Sequence, residues 1–288
     1  MSEGAGLPVI RTVEAVRGQV AEWRRLGLKV GLVPTMGALH DGHLTLVREA
    51  GRRVDRVVVS IFVNPMQFGP NEDFERYPRR EEGDRALLAT AGAHLLFAPG
   101  VAEIYPPGFA TTVTVSGVSE GLCGDFRPGH FAGVATVVAK LLLQVLPDVA
   151  LFGEKDYQQL QVIRRMVRDL DIPVAVDGVP TVREADGLAM SSRNAYLDPA
   201  GRRQAAALYA ALSAVAAAVK AGEPIDAATA DGRARLVAAG FTSIDYLEVR
   251  DAETLAPLST AAAATRPARV IVAAWLGSTR LIDNIPVA

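Results

Sequence analysis

The chain has 288 residues, half of them hydrophobic, and a formal net charge of −2. The near-neutral charge gives no basic stripe of the kind that nucleic acid requires, and the single cysteine, Cys123, excludes an internal disulfide. Met1 to Ile10 lacks the basic and apolar regions of a signal peptide, and no segment reaches the ~20 apolar residues of a membrane span. We therefore expect a cytoplasmic protein that binds neither nucleic acid nor membrane.

The first predicted elements alternate between helix and strand. Val13 to Leu26 has apolar residues at helical spacing, and Lys29 to Val33 is an apolar run typical of a strand. Leu44 to Arg53 again has helical spacing, whereas Arg56 to Val63 is apolar on both faces of a predicted strand. Such continuous apolar runs are typical of parallel sheets covered by helices.

A turn with two histidines, VPTMGALHDGHL at residues 33–44, joins the first strand to the second helix. Helix starts offer unpaired N–H groups and the positive end of the helix dipole, so the turn predicts an anion site, above all for phosphate. Gly37 and Gly42 allow close backbone approach, and His40 and His43 add ring donors. Two alternatives remain open: a metal site, although the chain has only four histidines, and an ordinary capped helix.

The alternation continues through the next part of the chain. We predict helices at Arg80 to Ala91, Phe131 to Leu146 and Asp156 to Leu170, and strands at His94 to Phe97, Thr111 to Val115, Val149 to Phe152, Val174 to Val176 and Val179 to Val182. Alternating strands and helices predict an α/β fold with a Rossmann-like, doubly wound parallel sheet. Ligands of such sheets bind beyond the carboxyl ends of the strands.

The composition changes between Val182 and Asn194, and a second, smaller α+β domain follows. Its predicted helices are Gln204 to Ala221 and Ala227 to Ala239, and its predicted strands are Ser243 to Val249, Arg269 to Trp275 and Thr279 to Ile285. We therefore predict a catalytic domain at residues 1–184 and a small lid domain at residues 185–288.

Five stretches in order resemble the pantoate–β-alanine ligase family, which belongs to the nucleotidyltransferase superfamily. They are PTMGALHDGH, SIFVNPMQF, RPGHFAGV, LFGEKDYQQL and VREADGLAMSSRN, and they lie between residues 34 and 194. His-x-Gly-His alone is shared with the wider superfamily, including class I aminoacyl-tRNA synthetases, but the five stretches together are specific. The resemblance implies ATP-dependent condensation of pantoate with β-alanine through a pantoyl adenylate, with release of AMP and pyrophosphate.

The resemblance also implies roles for individual residues. The implied catalytic residues are His40, whose position the family treats as a proton donor, His43, Lys155 and Arg193. The implied ATP-binding residues are Met36, Gly37, His40, Gly42, His43, Gly153, Lys155, Asp156, Val182, Met190, Ser191, Ser192 and Arg193. The implied pantoate and β-alanine residues are Met36, Asn64, Gln67, Gln159 and Arg127.

Each of these roles has a plainer alternative. Lys155 lies between two carboxylates and could form an exposed ion pair, and Asp156 could be the N-cap of the following helix. Residues 191–193, which resemble the mobile Lys-Met-Ser-Lys-Ser loop of the superfamily, could be a polar linker.

We expect Mg²⁺ to enter with ATP, held by phosphate oxygens and waters, and expect no resident metal. The apolar helix Phe131 to Leu146 and the predicted strand Thr111 to Val115 suggest a homodimer, as does the family resemblance. Two other functions remain open: an adenylyltransferase that moves AMP onto a phosphate ester, and a non-catalytic nucleotide-binding module.

Overall fold

A computed structural model describes residues 6–70 and 72–287, which form two compact units. The first unit contains the chain as far as Ser116, with Arg127–Glu154 and Val162–Pro180. The second contains Gly117–Phe126, Lys155–Gln161 and the chain from Thr181 onward. Residues 1–5, part of the stretch for which we expect no signal peptide, lie outside the described residues.

A parallel sheet of six strands lies at the centre of the first unit. Its strands are β1 (Val9–Ile10), β2 (Val30–Thr35), β3 (Arg56–Ile61), β4 (Leu95–Phe97), β5 (Val149–Gly153) and β6 (Ala175–Val179). They lie in the order β1-β4-β3-β2-β5-β6, and each neighbouring pair is parallel. The chain runs from β2 toward one edge and from β5 toward the other, so the topological switch point, where such sheets bind ligands, lies between β2 and β5.

Helices alternate with strands along the parallel sheet, as the sequence predicts, but the short helices Val101–Ile104, Cys123–Phe126 and Thr260–Ala263 were not predicted. They are α1 (Val13–Arg25), α2 (Asp41–Gly51), α3 (Glu81–Ala91), α4 (Val101–Ile104), α5 (Cys123–Phe126), α6 (His130–Val145), α7 (Tyr157–Asp169), α8 (Pro199–Ala205), α9 (Ala207–Lys220), α10 (Ile225–Ala238) and α11 (Thr260–Ala263). Short 3-10 turns lie at Pro65–Gln67, Glu154–Asp156 and Ser192–Tyr196.

Helices pack on both faces of the six-stranded sheet. Apolar side chains of α2 and α3 pack on one face, against Val33, Val57 and Val59. Because side chains alternate along a strand, Val58 points to the other face, where α6 packs against β2 and α1. The predicted doubly wound α/β fold is thus confirmed.

The second unit contains an antiparallel sheet of three strands, β7 (Ser243–Asp251), β8 (Ala268–Leu276) and β9 (Thr279–Val287). Its core combines buried residues of α9 and α10, such as Leu212 and Leu236, with Val270 and Val272 of the central strand. This is the small α+β arrangement that the sequence predicts.

The structure corrects four details of the sequence prediction. The predicted strand Thr111 to Val115 is wrong: Val113 N–H donates to Thr136 Oγ1 at 2.9 Å, and the segment has no strand partner among the described residues. β-branched residues favour a strand only where a neighbouring strand accepts their hydrogen bonds. The two extended segments predicted between Val174 and Val182 are the single strand β6, and the helix predicted from Gln204 is interrupted at Ala206. The prediction missed β1, which has only two residues.

Within residues 6–70 and 72–287, none of the helices has both the length and the apolar character that crossing a bilayer requires.

Candidate active site

The strand β2 leads directly into the turn with the two histidines. Thr35 Oγ1, at the end of β2, donates to Ser60 C=O of β3 at 2.8 Å and accepts the N–H of Gly37 at 3.2 Å. Gly37 and Ala38 both have left-handed backbone, with φ of +82° and +51°. Left-handed backbone is easy for glycine but costs energy for alanine, so other contacts must hold Ala38 in place.

Asp84 of α3 provides those contacts. Its carboxylate is 3% exposed and accepts the N–H groups of Ala38 and Leu39, both at 2.9 Å. A Cβ at Gly37 would lie 3.1 Å from Asp84 Oδ2, so the carboxylate also fits closely against the glycine. Two charge-assisted hydrogen bonds from one buried carboxylate thus fix the strained turn before the helix starts.

The two histidines cap the start of α2. His40 Nδ1 accepts the N–H of Gly42 at 3.2 Å, and His43 Nδ1 accepts the N–H of His40 at 3.4 Å. The ring centroids are 4.1 Å apart. Because Nδ1 is an acceptor in both rings, the neutral imidazoles carry their proton on Nε2 and are donors there. The capped-helix alternative and the phosphate-donor role are therefore compatible, since they use different nitrogens.

Met36, Asn64 and Gln67 come together in the first unit. Gln67 Nε2 lies 3.1 Å from Met36 Sδ, and Asn64 Nδ2 donates to Gln67 Oε1 at 3.1 Å. Asn64 is 1% exposed, and it also receives a hydrogen bond from Tyr105 at 2.8 Å. Burial raises the pKa of Tyr105, so the phenol remains a neutral donor. Three of the residues predicted for pantoate therefore form one hydrogen-bonded group.

Arg127 lies beside this group, but its guanidinium is bound to a carboxylate. It forms an ion pair with Glu72 at 2.5 Å, and Arg127 Nη2 donates to Gln67 C=O at 3.3 Å. His130 lies 3.0 Å from Arg127 and 2.9 Å from the same carbonyl. Since arginine can only donate, His130 accepts at Nε2 and donates from Nδ1. Arg127 and His130 thus fix the backbone of Gln67.

Glu72 has a lowered pKa because of this pair. Burial alone would raise the pKa of Glu72, but the hydrogen bond and the charge of Arg127 outweigh burial and lower it. The carboxylate is therefore ionised at neutral pH and neutralises the guanidinium that the sequence assigns to pantoate.

In the second unit, Lys155 follows the end of β5. Its side chain is 18% exposed and its Nζ lies 3.6 Å from Asp156, which precedes α7. Gln159 is half-buried, whereas its neighbour Gln158 is buried. Gln158 Oε1 accepts the N–H of Cys123 at 3.0 Å. Its Nε2 donates to the carbonyls of Val118, Glu120 and Gly121, so it anchors that loop.

The residues predicted for adenine form a small hairpin. The Met190 N–H donates to Val182 C=O at 3.0 Å, so these two backbone groups are bound to each other. Arg183 stabilises the hairpin by donating to Gly187 C=O at 3.0 Å and to Asp283 of β9 at 2.6 and 3.0 Å.

The hairpin leads into the predicted phosphate loop. Ser191 Oγ accepts the N–H of Arg193 at 3.3 Å and so caps the 3-10 turn at Ser192–Tyr196. Asn194 Nδ2 donates to Ala189 C=O at 3.1 Å and holds the turn against the hairpin.

The predicted site residues therefore fall into two groups, each described within its own unit. The first unit contains Met36, Gly37, His40, Gly42, His43, Asn64, Gln67, Arg127 and Gly153. The second contains Lys155, Asp156, Gln159, Val182, Met190, Ser191, Ser192 and Arg193.

Sequence reasoning missed the residues that hold these groups in place. They are Asp84, Tyr105, Gln158, Arg183, Asp283 and Asn284. The only signal available was position: Gln158 is next to Gln159, and Arg183 is next to Val182.

Metal-binding side chains do not cluster in the described part of the chain. Among those residues there is no group of three or more His, Cys, Asp or Glu side chains that could hold an ion.

The chain is similar in sequence to proteins of one family. The model of the family described as pantoate-beta-alanine ligase matches residues 8–286. A pantothenate synthetase of Paramagnetospirillum magneticum is 64% identical over 279 residues, covering 97% of each chain. Another, of Rhodospirillum rubrum, is 60% identical and covers 98% of this chain and 99% of the relative.

Solved structures of the same family share the fold of this chain. A pantothenate synthetase of Thermus thermophilus has a TM-score of 0.91 and 52% identity, covering 98% of this chain and 99% of that one. The pantoate-beta-alanine ligase of Francisella tularensis, whose structure is described as complexed with beta-gamma ATP and beta-alanine, has a TM-score of 0.81 and 32% identity, covering 98% of both chains. The chain belongs to the pantoate-beta-alanine ligase family.

Proposed function

We propose that the chain condenses pantoate with β-alanine in two steps that consume ATP. The family match over residues 8–286 carries this proposal. In the first step a carboxylate oxygen of pantoate attacks the α-phosphorus of ATP, and pyrophosphate leaves. In the second step the uncharged amine of β-alanine attacks the acyl carbon of pantoyl adenylate. AMP leaves with the electron pair of the broken bond, and the amine nitrogen releases a proton to solvent. The acyl adenylate is itself the activated species, so no covalent enzyme intermediate is needed.

The residues act by positioning the reactants and by stabilising charge. We assign the stabilisation of charge on the departing pyrophosphate to His40 and His43, whose Nδ1 atoms cap the helix and whose Nε2–H groups are donors. Lys155 and Arg193 add positive charge, and Ser191 and Ser192 add hydroxyl donors.

The hydrogen-bonded group of Met36, Asn64 and Gln67 suits pantoate, which has two hydroxyl groups and a carboxylate. Neutral amides can orient a carboxylate without lowering its nucleophilicity as a cation would. Gln159 is assigned the same role. Arg127 contributes by fixing the backbone of Gln67, because its charge is already paired with Glu72.

For the nucleoside part of ATP we assign the carboxylate of Asp156 to the ribose and the hairpin of Val182 and Met190 to adenine. Gly37, Gly42 and Gly153 allow close approach of backbone to phosphate. Mg²⁺ would enter with ATP, held by phosphate oxygens and waters, and would offset negative charge on the phosphates.

Three further assignments are proposals of the same kind. They are a homodimer, a cytoplasmic location and a division into a catalytic domain at residues 1–184 and a lid at residues 185–288. A monomer mass in solution at micromolar concentration would contradict the dimer.

The decisive experiment is pyrophosphate release from ATP and Mg²⁺ with pantoate alone, followed by AMP release after addition of β-alanine. Release that depends on pantoate is the expected result. Formation of ADP and phosphate would exclude the adenylate mechanism. With a phosphate ester in place of pantoate, a stable adenylylated product without free AMP would indicate an adenylyltransferase. ATP binding without pyrophosphate release would indicate a non-catalytic nucleotide-binding module.

A further inference from the structure

A buried amide of the last strand holds the backbone of Lys155. Asn284 of β9 is 2% exposed, and its Nδ2 donates to the carbonyl of Lys155 at 2.9 Å. Its Oδ1 accepts a hydrogen bond from Nε of Arg269 in β8. Both ends of the amide are therefore in use, and the side chain has one orientation in which both bonds form.

The other partner of this amide is also fixed. Arg269 is 8% exposed, and its guanidinium lies over the ring of Tyr157 at 3.8 Å. The hydroxyl of Tyr157 donates to Ala252 C=O at 2.7 Å. Lys155 thus lies two residues from an anchored aromatic ring and accepts a hydrogen bond from a buried amide at its own carbonyl.

The position of Asn284 depends in turn on Asp283. Asp283 Oδ1 accepts the N–H of Asn284 at 2.7 Å, and Arg183 donates both to the Asp283 carboxylate and to Asn284 C=O. Burial raises the pKa of Asp283, and the charges of Arg183 and Lys155 act in the opposite direction. Adjacent residues of β9 therefore hold two separate segments, the Lys155 turn and the hairpin at residues 182–190.

We propose that Asn284 is a positioning residue for Lys155: by fixing the backbone carbonyl of Lys155, Asn284 sets the direction of the lysine side chain. The proposal rests on the proposed function, because it takes Lys155 as the residue that contacts phosphate. The backbone of Lys155 sets the direction in which its side chain leaves the chain. Fixing that backbone in advance removes part of the conformational entropy that would otherwise be lost when ATP binds. A small misplacement of a charge that contacts the reacting phosphates lowers the rate strongly.

The first test variant is Asn284→Asp, which keeps the size and an acceptor for Arg269 but has no donor for Lys155 C=O. Asn284→Ala, which adds no charge, is the second. We expect both to raise the KM for ATP roughly tenfold, the upper range for one lost hydrogen bond, with the KM for β-alanine unchanged. Amide hydrogen exchange of residues 154–158 should become faster in both variants without any ligand.

The matched control is Leu236→Val, in the core of the same unit. It should lower the Tm through lost packing and leave the ATP KM and the exchange of residues 154–158 unchanged. An unchanged ATP KM in both Asn284 variants would overturn the proposal, even if exchange were faster, because Asn284 would then have a purely structural role. If the wild type releases no pyrophosphate with pantoate, the proposed function fails, and unchanged exchange in the Asn284 variants would separately overturn the positioning.

Discussion

Asp84 accounts for a backbone conformation that the residues of the turn do not favour by themselves. Ala38 has left-handed backbone, with φ of +51°. This conformation costs conformational energy for any L-residue other than glycine and is therefore uncommon. The carboxylate of Asp84 accepts two consecutive N–H groups there and so offsets this cost. The direction in which His40 leaves the turn therefore depends on a side chain in another helix.

Asp84→Asn tests this dependence. An amide offers one acceptor oxygen in place of two, so one buried N–H loses its partner at a cost of about 1–3 kcal/mol in unfolding free energy. Thermal unfolding should show the loss, and pyrophosphate release should fall with it. Glu82→Asp, an exposed change in the same helix that keeps the negative charge, is the control and should alter neither. Equal stability of Asp84→Asn and wild type would show that the turn needs no such support.

His40 caps α2 through Nδ1, and its proposed role as a donor to phosphate uses Nε2, so substitutions can separate the two. His40→Ala removes both the cap and the Nε2 donor, and turnover should fall roughly 10²–10³-fold, the size of losing one oriented transition-state donor. His40→Asn keeps a capping acceptor for the Gly42 N–H, so it should retain the stability of the wild type while remaining slow. Unfolding free energy and the rate of pyrophosphate release, measured on both variants, distinguish the capping role from the donor role. Normal turnover in His40→Asn would leave His40 only a capping role.

At the scale of elements, α6 packs unusually closely against the turn at Pro65–Gln67. A Cβ at Gly133 would lie 2.2 Å from Met66 O and 2.5 Å from Met66 C, both backbone atoms. The carbonyl of Gly133 also accepts a hydrogen bond from Asn64 Nδ2 at 3.1 Å. The close approach of helix and turn thus places Asn64 and Gln67, and it is possible only because residue 133 has no side chain.

Gly133→Ala should therefore displace the turn. We expect a loss of roughly 1–3 kcal/mol in unfolding free energy, typical of overpacking. The variant should also have a higher KM for pantoate than the wild type has. Gly18→Ala is the matched control, because Gly18 lies in α1 with nothing within 4 Å of its built Cβ. That change should stabilise the protein by about 0.5–1 kcal/mol and leave the KM unchanged. An unchanged pantoate KM in Gly133→Ala would contradict the role of this contact.

At the scale of the molecule, the response to acid includes a contribution from Glu72. Its pKa is lowered from the ordinary 4.5, so the unfolded chain binds the proton at a higher pH than the folded chain does. The stabilisation by the Arg127 pair is therefore complete above pH 4.5 and is lost as the pH falls through the lower, folded pKa. Because the pair is partly exposed, we expect its contribution to be on the order of 1 kcal/mol.

Glu72→Gln should remove this contribution. The difference in unfolding free energy between wild type and variant should be largest at pH 6 and should shrink as the pH falls below about 4.5. Denaturant unfolding at several pH values measures it. A difference that stays constant with pH would mean that the ion pair does not contribute to stability.

Much of the fold could be predicted from the sequence because its signals are local. Buried strands such as β2 and β3 are continuous apolar runs, and the turn between β2 and α2 contains glycines and capping residues. The segment Thr111 to Val115 has equally strong β propensity, yet it is not a strand, since propensity does not supply a pairing partner.

The candidate site could be predicted only in part. The residues assigned to substrates lie in short motifs, and their roles remain predictions. The residues that hold them are distant in sequence: Asp84 is 46 positions from Ala38, and Asn284 is 129 positions from Lys155. No local pattern distinguishes a buried Asp or Asn with such a partner from an exposed one.

The capping of α2 by two imidazole acceptors also bears on the anion-binding role that we propose for this turn. A protonated imidazole has no acceptor nitrogen, so the two caps exist together only while both rings are uncharged. In the proposed role, uncharged rings would leave the turn to bind an anion through directed hydrogen bonds and backbone dipoles, without a net cation. Its share of the affinity should therefore vary little with ionic strength, and any salt dependence should come from the lysine and arginine side chains.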